Sequence, residues 1–371
     1  ESVVVPGKLV DMGPAVLATG GAVSNTGLAL HRLGCRVRLM GKIGDDQFGR
    51  AILDLLRRHG PDLAAGMIVA KGETSSYSVV ISPPGVDRTF LHCPGANDSF
   101  KAADVSGGAL RGARLFHFGY PPLMRRMYER GGREVEAILR RAKAVGLTTS
   151  LDMAKPDPVS AAGRADWRVI LARCLPHVDI FLPSVDEILY MLDRKRFDRL
   201  QRECGSGNIL PKVDAALLAE TGERLLSLGA AIVAVKLGDQ GLYLRTTGDA
   251  RRLVRMGACA PRNAGPWLNR ELLAPCFRVK VVGTTGSGDC TIAGFLAGML
   301  KGLSPEKAVT SAVAVGACNV EAADATSGIR PWAKVQARIR AGWKRQPVKL
   351  PLRSWEWDAG RTLGRGPNDG E

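Results

Sequence analysis

The sequence predicts an α/β protein in which a central, mostly parallel sheet carries helices on both faces, with a small β-sheet lid beside it. Three observations predict it. From Arg114 onward, short apolar runs alternate with amphipathic ones, and strands that are apolar throughout belong in a parallel sheet covered on both sides. Residues 281–300, VVGTTGSGDCTIAGFLAGML, pass from β-branched residues through a glycine turn into a helix whose Ile292, Phe295, Leu296, Met299 and Leu300 share one face. Two alternating runs, 75–81 and 88–93, flank Pro83-Pro84-Gly85 and read as a hairpin.

Taken in order, residues 3–19 are β-branched and broken by Pro6-Gly7 and Gly13-Pro14, which predicts short strands joined by turns. Gly20-Gly21-Ala22-Val23-Ser24-Asn25 then leads into a helix with Leu28, Leu30 and Leu33, ending at Gly34. Read alone, Asn25 is a helix cap. Asp46 is read as the cap of the following helix. The segments 8–19 and 75–93 together predict the lid. Val79, Ile81, Phe90 and Leu91 are too apolar for a free-standing hairpin, so one face is expected either to close over a substrate or to pair with a second copy in a homodimer.

The core follows. A strand is predicted at 115–118, a helix at 134–144, a strand at 147–152, a strand at 178–182, helices at 185–192 and 217–228, and a strand at 231–237. Asp152 ends one of these strands, where ligands of such sheets gather, but a cap or turn role is equally open. Lys236 ends another and faces either phosphate or water. Residues 245–277 fit neither periodicity and read as an elaborated loop beside a ligand site. Residues 305–323 form a small-residue helix. The tail from about 350 is basic and aperiodic, ordered by its tryptophans or not at all.

Composition sets the outer bounds. With 371 residues, 45% of them hydrophobic, the whole chain 1–371 is long enough for one large domain. Eight cysteines without a C-x-x-C pair or His/Cys cluster suggest neither a zinc site nor a disulfide framework, and read as thiols of a reducing, cytoplasmic setting. No apolar run approaches the roughly 20 residues that span a bilayer, and no signal pattern opens the chain. A membrane partner is therefore not expected. The first residue is Glu rather than Met, which leads us to expect a preceding segment. The net charge is +16, of which residues 330–371 supply +6 from 10 Lys/Arg against 4 Asp/Glu. Without a basic run interleaved with aromatics, solvated surface is favoured and nucleic acid is not expected as a partner.

The chemistry concentrates in the glycine turn. Gly283, Gly286 and Gly288 let a ligand approach the backbone, and the first amides of the new helix point at an anion. Asp289 stands in that turn, either as a helix N-cap or as a base for an attacking hydroxyl. A P-loop is excluded because no Lys-Ser or Lys-Thr follows the last glycine.

Gly283-Thr284-Thr285-Gly286-Ser287-Gly288-Asp289, followed by Ala293-Gly294-Phe295-Leu296, resembles the C-terminal signature of the ribokinase-like (PfkB) carbohydrate kinases, with Gly283 in place of their first Asp and Ser287 in place of Ala. Gly20-Gly21 with Asn25 and the helix that follows resembles their N-terminal motif. Residues 41–49, Gly95-Ala96-Asn97, Pro183-Ser184-Val185-Asp186-Glu187 and 236–241 match further motifs in order, so that the resemblance spans about 20–328. It implies ATP-dependent phosphorylation of a hydroxyl, with ATP and Mg²⁺ as cofactors. Asp289 is then the base, and the amides of Gly286, Ser287, Gly288 and Asp289 form the anion hole. Gly20, Gly21 and Asn25 take the sugar, Gly238, Gly241, Thr284 and Asn319 border the nucleotide, and Glu187 organises Mg²⁺ through water. The family's substrate-binding Asp precedes Val3 and has no counterpart assigned in this chain. A small sugar or sugar derivative is the expected acceptor. A nucleoside kinase of the same fold and a catalytically degenerate nucleotide- or sugar-binding regulator are the alternatives.

Overall fold

The structure, a computed structural model, describes residues 6–7, 9–81, 89–205 and 208–370. Its first regular element is helix α1 (Gly21–Arg32), followed by β1 (Gly41–Gly44), α2 (Gln47–His59), β2 (Met67–Ala70), β3 (Tyr77–Ile81) and β4 (Thr89–Cys93). The core continues with β5 (Leu115–Phe118), α3 (Arg133–Ala144), β6 (Thr148–Leu151), α4 (Trp167–Cys174), β7 (Ile180–Phe181), α5 (Val185–Leu192), α6 (Arg194–Cys204), α7 (Ala215–Ser227), β8 (Ile232–Lys236), β9 (Leu242–Thr246) and β10 (Glu271–Ala274). Helices α8 (Ser287–Leu300), α9 (Pro305–Asn319) and α10 (Trp332–Arg340) and the short strands β11 (Glu356–Trp357) and β12 (Gly364–Arg365) complete it.

Eight strands form one sheet in the order β11-β12-β10-β9-β8-β7-β6-β5. The half from β5 to β8 is parallel, and the half from β8 to β11 is antiparallel. Strand β8 shows why its sequence has no alternation. Val233 and Val235 point into one core, with α3, α4 and α7, while Ile232 and Ala234 point into the other, with α8 and α9. Both faces are covered, so every position before the terminal Lys236 is apolar.

Helices α8 and α9 make the closest helix pair, and their composition explains it. A Cβ on Gly294 would lie 2.9 Å from Ala312 Cα and Ser311 O, so only glycine lets the two backbones approach this far. The alanine-rich α9 supplies the facing surface.

Several expectations are corrected. Residues 9–20 carry no strand: Pro14 lacks an N–H, and Leu9, Met12, Val16 and Leu17 are all exposed rather than packed on a partner. Lys8, residues 3–5, Arg88 and the Pro83-Pro84-Gly85 turn lie outside the described residues. Among the described residues the lid segments therefore contribute only the two strands β3 and β4, paired with Val79 opposite Leu91 and Val80 opposite Phe90, while β1 and β2 pair in parallel as a second small sheet outside the eight-stranded one. The stretch 245–277 is not a loop throughout, because fully buried β10 pairs with β9 within it. Of the two alternatives left open for the tail, the structure shows the ordered one. Trp355 is buried, β12 pairs with β10, and Asp369 accepts from Arg270 Nε at 2.7 Å.

Candidate active site

The C-terminal ends of β5 to β8 each deliver one chemically distinct residue to a common place, as the geometry of a parallel sheet requires. After β5 comes Tyr120, after β6 Asp152, after β7 the turn Pro183-Ser184 leading to Glu187, and at the end of β8 Lys236. Helix α8 brings Asp289 to meet them.

Asp289 is buried, at 3% exposure, and three groups from two distant segments hold its carboxylate. Asn25 Nδ2 donates to Oδ2 at 2.9 Å, Thr26 Oγ1 to Oδ1 at 3.3 Å, and the Tyr120 hydroxyl lies 2.8 Å from both oxygens. The N-cap of α8 is Gly286, in the left-handed region at φ 70°, so Asp289 is not the cap. Its carboxylate instead points across to α1. Tyr120 itself is left-handed at φ 61°, a conformation that costs a non-glycine residue about 1–3 kcal/mol. Burial first of all, and then the Asp289 carboxylate, hold its phenol well above the usual range. It remains a donor.

Asn25 is neither a cap nor part of an open wall. It sits inside α1, buried, with Oδ1 left without a partner. Gly20 and Gly21, by contrast, face open space. Gly20 is the extended N-cap of α1, Gly21 has φ 75°, and a Cβ on either would meet nothing within 4 Å.

On the other side of Asp289 lies a charged pair. Lys236 Nζ donates to Asp152 Oδ1 at 2.6 Å, and both side chains are nearly sequestered from water. The Lys236 side chain also passes beneath the first turn of α8, since a Cβ on Gly288 would lie 3.5 Å from its Cδ and 3.9 Å from Nζ. Burial pushes Asp152 up to about 8, with Lys236 only partly offsetting it. Burial opposes the charge of Lys236, but the carboxylates of Asp152 and Glu187 outweigh it and raise its pKa. His117, whose Nδ1 lies 3.0 Å from Ser150 Oγ, is pushed down to about 3 by burial and then by Lys236, and its Nε2 has no partner.

The glycine turn is packed from behind. Val282 N donates to Val320 O at 2.7 Å, and a Cβ on Gly283 would lie 2.8 Å from Ala323 O and 2.9 Å from Ala322 O. That crowding accounts for Gly283 where the resembling proteins carry Asp. Thr284 accepts from Ser287 N at 3.3 Å, closing the turn before α8. The first amides of α8 have no partner inside the helix and share its positive end, which suits an anion held beside Gly286, Ser287 and Gly288.

Three of the residues expected on the nucleotide side have structural contacts of their own. Asn319 is fully buried, its Nδ2 donating to Ala325 O at 2.7 Å, so it braces the 320–325 loop against the turn rather than lining a surface. Gly241, at φ 117°, is required by the backbone of Ala274, whose oxygen would lie 2.1 Å from a Cβ. Gly238, at φ 54°, starts a tight turn and accepts from Cys276 Sγ.

Glu187 closes a capping box with Ser184, its Oε2 accepting from Ser184 N at 2.6 Å. Burial first of all raises its pKa, and Lys236 opposes the shift. Among the described residues no three His, Cys, Asp or Glu side chains form a metal cage. Magnesium in nucleotide sites typically keeps its waters and takes one or two carboxylates plus phosphate oxygens. The buried, unpartnered Asp152 Oδ2, with Glu187 in charge range, fits that lighter mode of binding.

Sequence reasoning missed Tyr120 and Thr26. The signal for Tyr120 was its place, two residues past the end of an apolar strand.

The model of the pfkB family carbohydrate kinases matches residues 5–332. A sugar kinase of Archaeoglobus fulgidus is 26% identical over 280 residues, 76% of this chain and 89% of that one. The 2-dehydro-3-deoxygluconokinase of Bacillus subtilis is 26% identical over 337 residues, 86% of each. Among solved structures, a fructokinase from Xylella fastidiosa with bound ATP superposes with a TM-score of 0.65 at 20% identity, covering 87% of this chain and 90% of that one. A ribokinase II candidate from E. coli in complex with ATP and Mg²⁺ gives 0.62 at 19%, covering 90% and 94%. These two show the shared fold. With the family model matching most of its length, this chain belongs to the pfkB family of carbohydrate kinases.

Proposed function

We propose that this kinase transfers the γ-phosphoryl group of ATP to a hydroxyl of a small sugar or sugar derivative, with Asp289 as the base. The observation that carries the proposal is the placing of one buried carboxylate at the positive end of α8, beside the open space over Gly20 and Gly21. In the step, Asp289 takes the proton of the acceptor hydroxyl, that oxygen bonds to the γ-phosphorus, and the bond to the β-phosphate oxygen breaks to release ADP. The first amides of α8 stabilise the charge that develops on the phosphoryl oxygens. Lys236, beneath Gly288, adds a positive charge to the same region, and Asp152 holds it in place. Bound Mg²⁺ would neutralise phosphate charge, with Glu187 and Asp152 as the residues that hold it.

Relatives that act on fructose or on a sugar acid favour a sugar acceptor over a nucleoside. Asp289→Asn keeps the carboxylate's shape and removes its basicity. The expected result is a fall in kcat of about 10²-fold or more with the affinity for ATP, read by calorimetry, retained. Near-normal turnover would remove Asp289 from the chemistry. A wild-type protein that binds ATP yet turns over no sugar or nucleoside would make it a regulator.

A further inference from the structure

The end of the chain builds a second concave site. Residues 342–348 run back along 276–278, with Arg278 N donating to Lys344 O at 2.9 Å and Gln346 N to Cys276 O at 2.7 Å. Together with residues 357–362 they enclose a cavity of about 930 Å³, a size that accommodates a small molecule. Most of its wall lies beyond residue 332, where the family match ends, and no part of it comes from the glycine turn or the groups that hold Asp289.

The wall carries Arg278, Lys344, Arg345 and Arg361 and no carboxylate. Their neighbours Arg338 and Arg365 are ion-paired, with Glu321 and Asp369. Among the described residues the four cavity cations have no such ion pair. Arg345 is the informative one. Its guanidinium donates to Pro275 O at 2.8 Å and Thr310 Oγ1 at 3.2 Å, and it lies 3.7 Å over the ring of Phe277. All three are neutral partners, and burial pushes its pKa down to about 10. Asp358, whose oxygens accept from Thr362 N, Thr362 Oγ1 and Leu363 N, is within charge range and offsets part of that burial, one carboxylate against the four cations of the wall. A half-buried cation that lacks an ion pair keeps part of its desolvation cost, and an anionic ligand would offset it.

The same wall says what kind of anion. Arginine forks match phosphate oxygens in pairs of hydrogen bonds. Aromatic recognition is not on offer at Trp343, because Phe277 stacks on its ring at 4.4 Å and the Arg338 guanidinium lies over it at 3.6 Å. We propose that this cavity binds a small phosphate-bearing anion of at least two negative charges, apart from the site of phosphoryl transfer.

Inorganic pyrophosphate is a suitable probe, titrated calorimetrically into the full chain with the transfer site first saturated by a non-hydrolysable ATP analogue. The expected result is one site per chain that persists with the analogue bound. Its Kd should rise at least tenfold in the Lys344→Ala/Arg361→Ala double variant, whose altered side chains are exposed and whose affinity for the analogue stays at the wild-type value. Displacement of pyrophosphate by the analogue, an unchanged Kd in the double variant, or no binding at millimolar pyrophosphate would each overturn the proposal. None of these readings uses turnover, so they stand apart from the test of Asp289.

Discussion

Tyr120 decides how Asp289 is presented. Its hydroxyl is the one donor that reaches both carboxylate oxygens, and its strained backbone is what brings it there. A hydrogen bond to a charged group contributes about 1.5–3 kcal/mol. Tyr120→Phe keeps the ring and loses that bond, so kcat is expected to fall roughly tenfold or more while KM for ATP stays constant, in steady-state kinetics. An unchanged kcat would leave Tyr120 a packing residue. His117 makes a prediction about pH. Its folded pKa of about 3 lies below its unfolded value of 6.5, so the unfolded chain takes up a proton that the folded one refuses. Stability is then present in full above about pH 6.5 and is lost as pH falls toward 3, by up to about 1.4 kcal/mol per unit from this group. Urea denaturation at pH 7, 5.5 and 4.5 should show a shallower loss in His117→Gln than in the wild type.

At the scale of elements, the seam between α8 and α9 sets the direction in which the helix carrying Asp289 points. Gly294→Val would drive a branched side chain into the backbone of Ala312, and overpacking of this kind costs about 1–3 kcal/mol. A lowered urea midpoint with an unchanged slope is the expected outcome. The sequence made these elements legible because α8 announces itself through a glycine turn and a continuous apolar helix, and because β8 is apolar on both faces from Ile232 to Val235. Strand β10 was hidden for a related reason. Its four residues, Glu271 to Ala274, include a carboxylate, and Glu271 is buried only because Tyr243 and Asn368, far apart in the chain, bond it. The same holds at the site. The glycine turn and Asp289 could be read from local pattern, whereas the pairing of Lys236 with Asp152 and of Asn25 with Asp289 joins positions 84 and 264 residues apart, which no local signal carries.

At the scale of the molecule, no described helix is long and apolar enough to cross a membrane. Of the net charge of +16, residues 330–371 carry +6, and three of their cations, Lys344, Arg345 and Arg361, line the C-terminal cavity together with Arg278. The hairpin β3–β4 projects Tyr77, Val79, Val80, Phe90 and Leu91 from a two-stranded sheet, each between 41% and 55% exposed. A hairpin of that composition is marginal in water unless something covers it. We expect a homodimer through this hairpin. Light scattering should give twice the chain mass at micromolar concentration, reverting to the chain mass in Val79→Lys/Leu91→Lys. A wild-type monomer would remove the dimer and leave closure over the sugar as the hairpin's role.

The three donors around Asp289 have one more effect. A kinase that binds ATP in an aqueous cell is always next to a competing nucleophile present at far higher concentration than any sugar. With its carboxylate held by Asn25, Thr26 and Tyr120, Asp289 in the proposed role of base would accept a proton only from a hydroxyl that arrives with enough binding contacts of its own to displace one of them. A stray solvent molecule brings none, so the proposed arrangement predicts slow hydrolysis of the nucleotide until the right alcohol is in place, which an ATPase assay with and without sugar would measure.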